Sequence, residues 1–368
     1  MAKGMFIGVG GKARKVKKIY VGAGSMARKV KKAWVGVGGV ARLCFSSGEL
    51  TYYGTATALS VARAGPAATS VGDYALFGGG YSGDLSAVVD AYNTSLTRTT
   101  PTLLFQGRRM LAAASIGDYA LFGGGQGKNS PAQQVDAYNT SLTHTTPTAL
   151  SQGRLLLSAA SIGNYALFGG GDGYETSSAV VDAYNTSLTR TTPTALSQAR
   201  YSLAATTVGN YALFGGGINT TAVDAYNTSL TRTLPTGLSI MRHILDATTV
   251  GNYALFGGGT YSNPYATVDA YDASLTRTLP TVLSIARSGL AAVSIGDYAL
   301  FGGGSVLSNT PSSVVDAYDA SLTRTLPTVL SMARSGLAAA SVGDYALFGG
   351  GERSYGSNYN TVDVYQVS

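Results

Sequence analysis

The segment Ala-Leu-Phe-Gly-Gly-Gly occurs seven times, with its phenylalanine at Phe77, Phe122, Phe168, Phe214, Phe256, Phe301 and Phe348. Successive copies lie 42 to 47 residues apart. A period of that length means one supersecondary unit that cannot bury its apolar face alone and is copied around a ring or along an array.

Two further markers recur in step. Val-Asp-Ala-Tyr, or Val-Asp-Val-Tyr in the last copy, places an aspartate at Asp90, Asp136, Asp182, Asp224, Asp269, Asp316 and Asp363. An arginine nine residues before the glycine of each Gly-Asp/Asn-Tyr turn falls at Arg63, Arg108, Arg154, Arg200, Arg242, Arg287 and Arg334. In the third copy Leu155 to Ile162 is apolar and small, Gly163-Asn164 turns the chain, and Tyr165 to Phe168 follows. After the triple glycine come Ala179 to Tyr184 and Thr189 to Leu196. Short apolar or alternating runs bounded by Gly, Asn, Ser and Pro read as strands and turns, and no helical periodicity runs through them. Four antiparallel strands in about 45 residues is the size of one propeller blade.

Thr51 to Arg63 matches the outer strand of a blade, while the last copy supplies only three strands, the third being Thr361 to Gln366. The N-terminal strand over 51–60 is therefore expected to complete the seventh blade. Closing the ring this way leaves no unpaired sheet edge to invite aggregation. The length and a hydrophobic content of 45% allow a large core, and with 12% charged residues the propeller must be solvated mainly by Thr, Ser, Asn and Tyr. No apolar run approaches the roughly 20 residues that span a bilayer. Met5 to Val9 is too short for a signal peptide, and Cys44 alone excludes an intrachain disulfide.

Charge marks a domain boundary. Residues 1–50 carry 11 Lys or Arg against Glu49 alone, whereas the remainder carries 15 basic and 18 acidic side chains. The basic segment is itself a repeat of period 14, beginning at Met5, Ile19 and Ala33. Apolar strands such as Ile19-Tyr20-Val21 alternate with basic ones such as Arg28-Lys29-Val30-Lys31 across Gly-rich turns. That reads as a small β-meander, marginal alone and steadied by self-association or docking. Its cluster of Lys15, Lys17, Lys18, Lys29, Lys31 and Lys32 suits a subunit-facing or solvated basic face, with nucleic acid or an anionic surface as the other reading. The Gly-Val-Gly-Gly turns are not phosphate loops, because no Gly-Lys-Ser/Thr follows.

The order of a glycine-closed second strand, then Val-Asp-Ala-Tyr, then Leu-Ser-x-Ala-Arg resembles the kelch repeat over residues 51–368. It departs where kelch repeats usually carry tryptophan, since this chain has Thr97-Arg98-Thr99 and its equivalents, and Trp34 lies outside the repeats. The fold class is accordingly all-β: a basic module over 1–50, then a seven-bladed kelch-like β-propeller over 51–368. The N-terminal pattern resembles leader modules of tail or baseplate proteins in prophages of Gram-positive bacteria. That resemblance implies a short module fixing the protein to a particle, with the propeller facing outward.

Catalysis finds little support in the residue set. Propeller hydrolases need clustered carboxylates with arginines, and copper oxidases of kelch architecture need two histidines, tyrosine and cysteine. The only histidines are His144 and His243, at non-equivalent positions, so no metal or other cofactor is expected. A hydrolase would require Asp84, Asp172, Glu175 and Glu352 to converge at the channel mouth. Asp73, Asp118, Asp297 and Asp344 exchange with Asn164, Asn210 and Asn252 in equivalent turns, which points to turn geometry. Asn-Thr-Ser at Asn93, Asn139, Asn185 and Asn227 matches a glycosylation acceptor, but Asp272-Ala-Ser and Asp319-Ala-Ser in sister blades indicate turn chemistry. The seven arginines either ring one mouth and attract an anion, or each pair with an aspartate.

What varies is the loop between the triple glycine and Val-Asp-Ala-Tyr, where the last glycine and the aspartate are 7 to 12 residues apart. These loops are rich in Tyr, Ser, Gly and Asn, the composition of adaptable binding surfaces. Tyr81, Asn129, Tyr174, Asn219, Tyr261, Tyr265, Asn309, Tyr355 and Tyr359 are the candidate ligand contacts, with tyrosines able to stack on sugar rings. The reading that results is a non-enzymatic propeller binding a cell-surface glycan or protein, carried on a phage-tail particle, or in the bacterial cytoplasm before assembly. Its partners would be other tail subunits through residues 1–50, or further copies of itself. An intracellular interaction scaffold with a nucleic-acid- or membrane-binding module is the alternative.

Overall fold

The computed structural model describes residues 48–353 and 356–367 in full, and the backbone of six short strands before them. Those six form three separate antiparallel ribbons: Phe6–Val9 with Lys12–Lys15, Tyr20–Ala23 with Met26–Lys29, and Lys32–Val37 with Val40–Ser46. From residue 50 onward the chain is a seven-bladed β-propeller of four-stranded antiparallel sheets. Among the described residues the only helix is a single 3-10 turn, Leu307–Asn309, and no helix is long and apolar enough to cross a membrane.

Blade 3 shows the plan, with strands Ser158–Ile162, Tyr165–Gly169, Val181–Asn185 and Arg190–Thr191 in spatial order. First strands of neighbouring blades contact each other around the whole ring, blade 7 meeting blade 1, so they line the channel. The outer strand is two residues long, where the alternation of Thr189 to Leu196 predicts more. Pro193 follows after Thr192 and has no N–H to continue the ladder. In blade 7 the outer strand comes from the N-terminal side, Leu50–Thr55 pairing with Val362–Val367.

The triple glycine is a packing device. A Cβ on Gly169 would sit 2.8 Å from the ring of Phe214 in the next blade, and the same contact recurs at every seam, Gly349 against Phe77 included. The next two glycines take positive φ, 69° and 114° at Gly170 and Gly171. That bend lets the Gly171 N–H donate to the Arg200 carbonyl of the following blade at 2.9 Å, a bond made at all seven seams. Each Phe meets a Tyr of its own blade edge-on, as Phe168 meets Tyr184 with centroids 5.9 Å apart, and each such Tyr hydroxyl donates to a threonine carbonyl.

The seven arginines and seven aspartates are fully buried and paired within their blades. Arg63–Asp90, Arg200–Asp224, Arg242–Asp269 and Arg334–Asp363 lie 2.7–2.8 Å apart, and Arg108–Asp136, Arg154–Asp182 and Arg287–Asp316 pair likewise. Of the two roles open to these arginines, the geometry holds the structural one. Each guanidinium also donates to the phenylalanine carbonyl of the second strand, and each aspartate accepts a backbone N–H from the connecting segment, as from Ser151 to Asp182 at 3.0 Å. A second side chain on the outer strand shares the carboxylate, Arg190 with Asp182 at 2.8 Å or His144 with Asp136 at 2.6 Å. In blade 7 the Tyr52 hydroxyl donates to Asp363 instead, at 2.7 Å.

Removing one partner of a buried pair strands its charge. Arg154→Ala is expected to cost about 3–5 kcal/mol. Arg190→Ala, at a side chain 24% exposed, is expected to cost about 1 kcal/mol or less. Urea midpoints of the two variants check the ordering, and equal shifts would remove the inner arginine from its central role.

Candidate functional site

Three positions per blade gather on one face around the axis. In six blades the residue after the buried arginine bridges, antiparallel, to the first residue after the triple glycine. The facing pairs are Ala64 with Tyr81, Arg109 with Gln126, Leu155 with Asp172, His243 with Thr260, Ser288 with Ser305 and Ser335 with Glu352. In blade 4 Ile218 N–H donates to Tyr201 at 3.1 Å. No two blades carry the same pair. One pair also reaches its neighbour: the Arg109 guanidinium lies 4.9 Å from the Tyr81 ring centroid while its Nε donates to Gln126 Oε1 at 2.7 Å.

The next residue inward is left-handed in every blade: Gly65, Met110, Leu156, Ser202, Ile244, Gly289 and Gly336 have φ between 54° and 61°. Their amides form a belt across the seams. Leu156 N–H donates to Met110, Ser202 to Leu156, Ile244 to Ser202, Gly289 to Ile244, Gly336 to Gly289 and Gly65 to Gly336, at 2.7–3.1 Å. Glycine takes this conformation freely, whereas an L side chain pays about 1–2 kcal/mol, and a β-branched one is an outlier. Ile244 nonetheless stands there 45% exposed. Met110, Leu156, Ser202 and Ile244, with Leu111, Leu157, Leu203 and Leu245 beneath, line one cavity of about 180 Å³. Residues from four successive blades can line one cavity only at the axis, so this is the channel mouth, apolar on one arc and open at the three glycines.

Below the mouth the inner strands carry one charged residue, Asp246, where the other blades have alanine or Ser158. Its Oδ1 accepts the Ala247 N–H at 2.8 Å and its Oδ2 the Ala292 N–H of blade 6 at 2.7 Å. Inner strands pair only with the second strand of their own sheet, so that Ala292 donor belongs to the free edge facing the channel. Burial pushes the carboxyl up to about 7, against the opposing pull of the two N–H donors.

The sequence-predicted contacts divide by depth. Tyr174 and Tyr261 stand at loop tips, 51% and 50% exposed, and Asn129, Asn219 and Asn309 are exposed tip residues as well. Tyr81 is half-buried beneath Arg109, its carbonyl accepting from Asn358 of the blade 7 loop at 2.9 Å. Tyr265 and Tyr359 are half-buried at loop bases, their backbone N–H groups donating to the Gly259 and Gly351 carbonyls, where other blades place Ser86, Ala132, Ser178 and Ser312. Tyr355, Lys17, Lys18 and Lys31 lie outside the described residues, and Lys15, Lys29 and Lys32 fall on ribbons described by their backbone. Asp84, Asp172, Glu175 and Glu352 are spread over the loops of blades 1, 3 and 7, and among the described residues no three His, Cys, Asp or Glu side chains form a metal-holding group.

The turns have plain geometry. Asn185 Oδ1 accepts from Ser187 and Thr189, and Asp272 does the same with Ser274 and Thr276, at 2.9–3.0 Å. In the Gly-Asp/Asn-Tyr turns the glycine is left-handed, with φ 54° at Gly163. The two residues after each arginine were missed as candidates, although their variation between an invariant arginine and a near-invariant leucine is visible in the sequence.

The architecture is that of a seven-bladed β-propeller with a diversified channel-mouth face. Among solved structures, the chain is similar to one described as the structure of YjhT, with a TM-score of 0.61 and 13% identity over 74% of this chain and 99% of that one. That likeness concerns the fold. No protein-family model and no curated protein matches the sequence.

Two outcomes test this geometry. Ile244→Gly relieves a left-handed isoleucine that is 45% exposed, and is expected to raise stability by about 1 kcal/mol in denaturant titration. Asp246 binds its proton more tightly folded than unfolded, so its stabilising contribution is present below pH 4 and lost as pH rises to about 7. The stability difference between Asp246→Asn and the parent should therefore grow in favour of the variant over that range, by roughly 2–4 kcal/mol. A flat difference would remove the shift.

Proposed function

We propose that this protein is a non-enzymatic, kelch-like binding propeller whose variable face recognises a cell-surface glycan or protein. The observation that carries the reading is where the diversity lies. Buried arginine–aspartate staples, glycines and aromatic pairs repeat in all seven blades, while the facing pairs, mouth residues and loop tips differ, and these gather on one face. A propeller fold fits a binding role. Exposed tyrosines at adaptable tips offer rigid amphipathic area with neighbouring polar groups, which suits both sugars and protein surfaces. The basic repeats of residues 1–50 support the companion reading of an attachment module on a phage-tail particle, holding the chain to other subunits. Their 11 Lys or Arg against one acid also favour the second reading, an intracellular scaffold binding nucleic acid or an anionic membrane.

The full chain on glycan arrays and whole bacterial cells is the test, beside a Tyr174→Ala/Tyr261→Ala variant. Binding that falls about tenfold or more in the variant supports the tip tyrosines as contacts. Retained binding would move recognition elsewhere, and absence of binding together with salt-dependent retention on heparin would favour the scaffold.

A further inference from the structure

Asp246 is an acid without a counter-charge. Each staple aspartate has a buried arginine, whereas among the described residues no Lys, Arg or His pairs with Asp246. The arginines of blades 4, 5 and 6 are committed: Arg200 and Arg232 to Asp224, Arg242 and Arg277 to Asp269, and Arg287 and Arg324 to Asp316. His243, three residues upstream, is held below its ordinary value by burial and is neutral at pH 7. The remaining inner-strand residues of blades 4, 5 and 6 carry no charge.

We propose that the channel mouth binds an aliphatic primary ammonium, its alkyl chain against Ile244, Leu157, Leu203 and Leu245 and its charge on Asp246. This site is distinct from the loop tips and does not depend on the reading of them. A carboxylate offers about four lone-pair positions, of which the Ala247 and Ala292 amides take two. An ammonium is a point charge that can use one remaining position. A guanidinium prefers both oxygens side by side, but Oδ1 and Oδ2 are each already engaged with a different donor. A hard metal ion wants several oxygen ligands, and this wall supplies one carboxylate. The apolar arc, which ends at Ile244 and Leu245 directly before Asp246 in the chain, selects a chain over a bare ammonium ion, because Met110, Leu156 and Ile244 line it where Gly65, Gly289 and Gly336 leave the other arc open.

Calorimetric titration of the full chain with n-hexylamine tests the site, with 1-hexanol as the uncharged analogue. Nα-acetyl-lysine N-methylamide separates a lysine side chain on a polypeptide from a free amine as the natural source. Hexylamine is expected to bind one per chain, more tightly at pH 8 than at pH 5 as Asp246 ionises. Asp246→Ala should weaken it about tenfold or more. That variant restores the residue found at Ala67, Ala112, Ala204, Ala291 and Ala338, so it keeps the scaffold. Ile244→Gly, which retains the carboxylate, should weaken hexylamine and leave ethylamine unchanged. Equal affinity in Asp246→Ala, equal affinity for 1-hexanol, or no hexylamine binding would each overturn the proposal.

Discussion

The buried arginine–aspartate staple is the interaction from which the blade is built. One arginine reaches across its own blade to the second-strand carbonyl and the third-strand carboxylate, as Arg200 does to Phe214 and Asp224. Its own carbonyl receives the third glycine amide of the preceding blade. Desolvating such a pair is costly, and the cost is offset only where the remaining hydrogen-bonding positions are filled. Here the aspartate's other oxygen takes a backbone N–H from the connecting segment, and in most blades a half-exposed second cation stands beside it. Each blade is thereby locked internally and to its neighbour through the same residue.

That lock fixes the backbone directly downstream. With the arginine carbonyl tied to one blade and its side chain to another, the next two residues have little freedom, and the second is driven left-handed at every seam. A fold this over-determined can hold leucine or isoleucine where glycine would rest unstrained. The side chains at these positions are aimed by the scaffold at the channel mouth, and what they are is left to other constraints.

The ring, its count and its closing strand were legible because period-two strands and glycine turns repeat without interruption. The arginine–aspartate pairing was one of two readings of the sequence, which could not show how deep the guanidinium lies. Outer-strand length was misjudged because alternation continues through Thr192-Pro193, where the proline ends pairing. Tyr265 and Tyr359 read as loop residues because counting from the glycines cannot separate a tip from a base. The base is set by a hydrogen bond back to the third glycine, which sister blades satisfy with Ser or Ala. Asp246 was visible as Leu-Asp among Leu-Ala, yet only the free edge of blade 6 reveals what its carboxylate meets.

A sevenfold scaffold presents every ligand with seven equivalent choices, so selectivity must reside where the symmetry is broken. The breaks differ in kind. His144 replaces an outer-strand arginine and still contacts the same aspartate, and Asp272 replaces asparagine and still caps the same turn amides. These substitutions preserve the interaction they inherit, so they explain themselves structurally. Ile244 and Asp246 do not: one adds strain where glycine is easiest, and the other adds a charge that backbone amides meet without a counter-charge. Both stand within three residues of each other on one inner-strand approach, Ile244 lining the cavity and the Asp246 carboxylate at the free strand edge that faces the channel. Neighbouring departures that each cost stability, at a place where a ligand can relieve at least one of them, are better accounted for by binding than by the ring.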